Sequence, residues 1–122
     1  MSLIDSQVRE DTLEWEEHLL LDGKQDPQVS GEIDVRNTNG VTLYVLGTTP
    51  PVNGGTVLLE GSPISGYAGT WVSLGSCTPS GTALKAASVI HGDNGFPCRF
   101  VRVRISTQIA NGAIDAYIVT QR

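Results

Sequence analysis

Residues 98–106 read Cys-Arg-Phe-Val-Arg-Val-Arg-Ile-Ser. Val101, Val103 and Ile105 alternate with Phe100, Arg102 and Arg104, the period of a strand with one apolar and one polar face. Arg99, Arg102 and Arg104 are also three of the eight Lys and Arg residues in a chain of net charge −5, so the stretch poses a choice between a nucleic-acid stripe and one strand of a sandwich. Nucleic-acid binders of this size carry a net basic domain with clustered cations. Here there are two lysines, the isoelectric point is near 4.8, and no aromatic beyond Phe100 is interleaved with the arginines. The strand reading is therefore preferred, with the arginines as an ion-pairing surface for acids of this chain's own N-terminal segment or of a neighbouring subunit.

Working outward, Val41, Leu43 and Val45 alternate with Thr42 and Tyr44 in the same way, and the two apolar faces are expected to meet in one core. Turn signals recur at Asp22-Gly23, Asn39-Gly40, Asn53-Gly54-Gly55, Ser65-Gly66, Ser80-Gly81, Asp93-Asn94-Gly95 and Asn111-Gly112. Between them lie runs of strand length at 29–36, 41–46, 56–60, 69–74, 84–90, 99–106 and 113–120. Leu13, Trp15, Leu19 and Leu21 fall on odd positions with Glu14, Glu16, His18 and Asp22 between them, although Glu17 interrupts the apolar face. A helix through Ile4, Val8, Asp11 and Trp15 is the alternative for part of that segment. The expected fold is all-β, an antiparallel β-sandwich of about eight strands, jelly-roll-like. Residues 1–12 read as an extended N-terminal arm and 13–122 as a single domain.

Composition agrees: apolar residues make up 39% and charged residues 17% of the 122 positions. No apolar run reaches the eighteen or so residues of a membrane helix, and the start Met1-Ser2-Leu3-Ile4-Asp5 lacks the pattern of a signal peptide, so no membrane partner is expected. Cys77 and Cys98 are the only cysteines and form no CxxC pair; they could pair across a loop, but reduced, partly buried thiols are the preferred reading. Charge is uneven: residues 1–34 carry ten acids against Arg9 and Lys24, whereas 35–122 carry three acids against six cations. An acidic front end that meets a basic surface singles out Glu14, Glu16, Glu17, Arg99, Arg102 and Arg104 as partner-binding residues.

No catalytic set can be placed. Neither His18 nor His91 neighbours a Ser or Cys in a nucleophile setting. The loop His91-Gly92-Asp93-Asn94-Gly95 offers one acid where calcium takes six to eight oxygens, and reads as a turn. Glu14, Glu16 and Glu17 crowd one segment, whereas glycoside hydrolysis needs two acids on opposite sides of the bond. The expectation is a protein that is not an enzyme, with no catalytic residue, no cofactor and no metal. The loop Ser65-Gly66-Tyr67-Ala68-Gly69 presents an aromatic, so Tyr67 and Trp71 are candidate glycan contacts; the other aromatics read as packing residues.

Gly55-Thr56-Val57-Leu58-Leu59-Glu60-Gly61-Ser62, then Gly69-Thr70-Trp71-Val72-Ser73-Leu74, then Phe100 to Ile105, closing on Ala113 to Val119, resembles the strand cadence of small β-sandwich virion proteins of tailed bacteriophages. The resemblance spans about residues 41–120. It implies a structural role: a capsid decoration (cement) protein, made in the host cytoplasm, that binds the major capsid protein on the capsid surface and stabilises the shell, often as a dimer or trimer. The arm at 1–12 suits a cement protein that reaches over neighbouring subunits. No residue motif separates this role from that of a tail or head-fibre component, so a carbohydrate- or receptor-binding module stays open as the alternative.

Overall fold

The alternation at 98–106 becomes a strand of Phe100–Thr107 in which Val101, Val103 and Ile105 are completely buried and Arg104 is exposed. The computed structural model describes residues 15–36, 38–48, 51–90 and 98–121. Among them run eleven strands and no helix: β1 (Trp15–Lys24), β2 (Gln28–Val29), β3 (Ile33–Asp34), β4 (Gly40–Gly47), β5 (Val52–Asn53), β6 (Thr56–Ser62), β7 (Val72–Cys77), β8 (Ser80–Gly81), β9 (Leu84–Ile90), β10 (Phe100–Thr107) and β11 (Ile114–Gln121). One sheet has the order β1-β11-β4-β9, the other β2-β10-β6-β7 with β3 also on β10, and β5 pairs with β8. Every pairing is antiparallel. The expected all-β antiparallel sandwich is the observed fold. The arm at 1–12 and the loop at 91–97 lie outside the described residues.

The core is what the two alternating stretches predict. Val41, Leu43 and Val45 of β4 and Ile114, Ala116 and Ile118 of β11 face Val57 and Leu59 of β6 and the inward row of β10, all within one buried cluster. Two sheets stacked on one apolar layer are the stable arrangement for such strands. β7 packs against β9 and closes one side of the sandwich.

Two segments differ from their sequence reading. The run 29–36 divides into β2 and β3, because at Ser30 a side chain enters the ladder: the Val103 N–H donates to Ser30 Oγ at 2.9 Å, while the Ser30 N–H donates to Val103 O at 2.8 Å. In β1 the odd positions do not all face inward. Leu19 sits opposite Tyr117 and Leu21 opposite Ala116, so Leu20 is an extra residue, a β-bulge that exchanges the faces on either side of it. Leu21 is therefore buried, whereas Trp15 is 62% and Leu19 48% exposed. Glu17 does not interrupt an inner face; it belongs to an outer one.

Candidate binding surfaces

The outer face of the second sheet carries the arginines. Arg102 lies directly across from Glu60 in the β10–β6 register, and its Nε donates to Glu60 Oε1 at 2.9 Å; Arg104 Nη1 donates to Oε2 at 3.4 Å. Glu60 is only 2% exposed even though it points away from the core. The segment after β6 accounts for this: Trp71 is 4% exposed and lies under Arg102, whose guanidinium carbon is 4.3 Å from the ring centroid. Arg102 is thus held between a carboxylate and an indole, and its charge offsets the cost of burying Glu60.

The same segment is tethered. The Glu32 carboxylate accepts from Ser65 Oγ at 2.7 Å and from the Gly66 N–H at 2.8 Å, and Trp71 Nε1 donates to Tyr67 O at 2.8 Å. Tyr67 is held on this loop 43% exposed, beside a recess of about 290 Å³ that Ile64, Trp71 and Val72 help to line. Trp71 offers a ligand little surface, since its face is already covered by Arg102. Arg99 is exposed and lies 5.5 Å from the Phe100 centroid. Glu16 and Glu17 are exposed on β1, in the other sheet, and Glu14 lies outside the described residues. The acid that meets Arg102 and Arg104 is Glu60, which charge counting along the chain did not single out.

The outer face of the first sheet carries a surface that the sequence reading missed. The register places Leu19 of β1 beside Tyr117 of β11, Tyr117 beside Tyr44 of β4, and Leu46 beside Leu84 of β9. Trp15, Glu17, Tyr44, Leu46, Leu84, Tyr117 and Val119 line an open groove of about 650 Å³, in which Trp15 and Leu84 are more than half exposed. The signal was present in the sequence: Tyr44, Leu46, Tyr117 and Val119 are large residues on the faces opposite Leu43, Val45, Ala116 and Ile118. β4 and β11 are therefore apolar on both faces, which an outer face exposed to water does not require.

Cys77 and Cys98 are free, and burial pushes both thiols above their ordinary range, which keeps them protonated and poorly nucleophilic at neutral pH. His18 Nε2 has no hydrogen-bond partner, and the Glu16 carboxylate is 3.7 Å away. Among the described residues, no three His, Cys, Asp or Glu side chains converge as metal ligands. The loop 91–95, considered above as a calcium turn, lies outside the described residues.

By sequence the chain matches no family model and no curated protein. Its fold is similar to several solved structures. The SPBc2 prophage-derived protein YomS aligns with a TM-score of 0.63 at 7% identity, covering 90% of this chain and 95% of that one. A cleaved adhesin domain of Lys-gingipain from Porphyromonas gingivalis aligns with a TM-score of 0.55 at 15% identity, over 88% of this chain and 72% of that one. A chain of rhinovirus-B5 aligns with a TM-score of 0.52 at 8% identity, over 94% and 77%. At these identities the likeness is one of fold.

Proposed function

We propose that this chain is a non-enzymatic structural protein of a tailed-phage virion, a decoration protein that binds the major capsid protein on the outside of the shell. The observation that carries the reading is the end-to-end likeness to a prophage-derived protein, in which nearly the whole of each chain is aligned. The strand cadence of residues 41–120 supports it. A symmetric shell engages many copies at once, so a modest interface per copy resists expansion through multivalency, and a dimer or trimer multiplies the effect. Co-sedimentation of the purified protein with its phage's particles, with and without residues 1–12, tests the proposal. Saturable binding that depends on the arm, together with a higher temperature for DNA release, is the expected result. Particles that leave the protein in the supernatant overturn it.

A second reading, a receptor- or carbohydrate-binding component of a tail or head fibre, is favoured by Tyr67, a half-exposed ring on a loop pinned by Glu32. The likeness to an adhesin domain is compatible with it. A glycan array with a Tyr67→Ala control separates the two readings.

A further inference from the structure

We propose that the groove on the outer face of the first sheet, away from Tyr67, is a binding site for a neutral hexose oligosaccharide, stacked on Trp15, Tyr44 and Tyr117 and hydrogen-bonded by Glu17. Tyr44 and Tyr117 are direct cross-strand partners, and Trp15 stands two outer rows further along the sheet, beside Gln121. With about 3.3 Å per residue, that offset is about 13 Å along the strands. Between the rings lies the row of Glu17, Val119 and Thr42. The result is an elongated trough of about 650 Å³ with aromatic surfaces at two separated positions, within the range of small-molecule sites.

The chemistry of the lining selects the occupant. A pyranose has an apolar C–H face and a rim of hydroxyls, which matches aromatic faces flanked by tyrosine hydroxyls and a carboxylate acceptor. Glu17 is the one acidic side chain lining the groove among the described residues, and no Lys or Arg joins it, so nothing there favours sulfated or uronic sugars. A peptide strand is a poorer fit. The site lies on the face of the sheet, where the backbone N–H and C=O groups of β11 and β4 are engaged in their ladders, whereas strand addition uses a free edge. A second copy is disfavoured as well, because an isologous contact brings Glu17 of each molecule into one desolvated apolar interface of a chain already at −5. This assignment does not depend on the virion reading.

The test is isothermal titration of the full chain with hexamers of neutral gluco-, manno-, galacto- and N-acetylglucosamine series, with oligogalacturonate as the anionic control. Trp15→Ala is a conservative probe of fold because the residue is 62% exposed on an edge strand. The expected result is binding of at least one neutral series with a Kd of about a millimolar or tighter, weakened roughly tenfold or more in Trp15→Ala and unchanged in Tyr67→Ala. The proposal is overturned by any of four outcomes: no neutral series binds, Trp15→Ala binds as well as the parent, Tyr67→Ala is the variant that loses binding, or oligogalacturonate is preferred. It is overturned too if sedimentation velocity shows a dimer that Trp15→Ala dissociates, or if particle attachment alone is lost with Trp15. Failure of the virion reading is seen separately, in the co-sedimentation of the parent protein.

Discussion

The Glu60 carboxyl lies at 2% exposure, and that places a demand on its neighbours. Arg102 meets it at 2.9 Å and Arg104 at 3.4 Å, but Arg102 is mostly buried and stacked on Trp71, whereas Arg104 is about half exposed. Removing Arg102 strands a buried carboxylate, so Arg102→Ala is expected to lower unfolding free energy by about 2–4 kcal/mol, and Arg104→Ala by less than about 1 kcal/mol, in urea titrations. The double variant Glu60→Leu/Arg102→Met removes both charges and is expected to regain most of the loss; a double variant as unstable as Arg102→Ala would show that packing on Trp71, not charge, is what matters. The cysteines set a second residue-scale dependence. Burial raises both thiol pKa values in the folded state, so the unfolded chain loses its thiol protons first as pH climbs. Stability is therefore full below the ordinary thiol value of about 8.5 and declines as pH rises above it. The urea midpoint of the parent is expected to fall between neutral pH and pH about 10 by more than that of a Cys77→Ala/Cys98→Ala variant.

Strands were legible where an apolar row recurs at every second position between turn signals. β4, β9, β10 and β11 lie within one residue of their sequence-read limits, since a period of two has no competing explanation there. β5 and β8 are two residues each, too short to show any period. β1 was legible as a strand but not in its facing, because the bulge at Leu20 reverses the alternation and a bulge has no signature in hydrophobicity alone. The groove was lost for the same reason: Trp15 was assigned to the side of Leu21. Intrinsic fluorescence checks the register. Trp71→Phe leaves Trp15 as the reporter and is expected to show red-shifted emission readily quenched by acrylamide, whereas Trp15→Phe leaves the 4%-exposed Trp71, blue-shifted and protected. Protected emission from both would place Trp15 in the core. A turn between elements is as constrained as any strand. Gly55 has a φ of 107°, and a Cβ there would stand 2.7 Å from Ile109 Cδ1 and 2.9 Å from the Gln108 carbonyl oxygen. Gly55→Ala therefore incurs both backbone strain and a clash, and is expected to cost about 2–4 kcal/mol by chemical denaturation, where an alanine at exposed Gly31 costs under about 1 kcal/mol.

At the scale of the molecule, the two sheets present different surfaces: an aromatic trough with exposed acids on β1, and an arginine-bearing face on β10. The arginines are not equivalent. Arg102 and Arg104 are drawn into the Glu60 cluster, which leaves Arg99 as the arginine of this stretch that is exposed and not ion-paired among the described residues. On the virion reading, attachment is then steered by rim charges, and rim charges act mainly on association rate and salt dependence. Arg99→Glu is expected to weaken particle binding several-fold at low ionic strength, to lose most of that difference in about 0.5 M salt, where the Debye length is only a few ångströms, and to leave the unfolding midpoint unchanged. Arg102→Glu behaves differently because it sets a second carboxylate against buried Glu60, so its unfolding midpoint drops before any question of binding arises. Measuring both properties on both variants separates a surface used for attachment from one used for folding. Equal binding by Arg99→Glu and the parent at every salt concentration would remove Arg99 from the interface and turn the same test to the exposed acids Glu16 and Glu17 of β1.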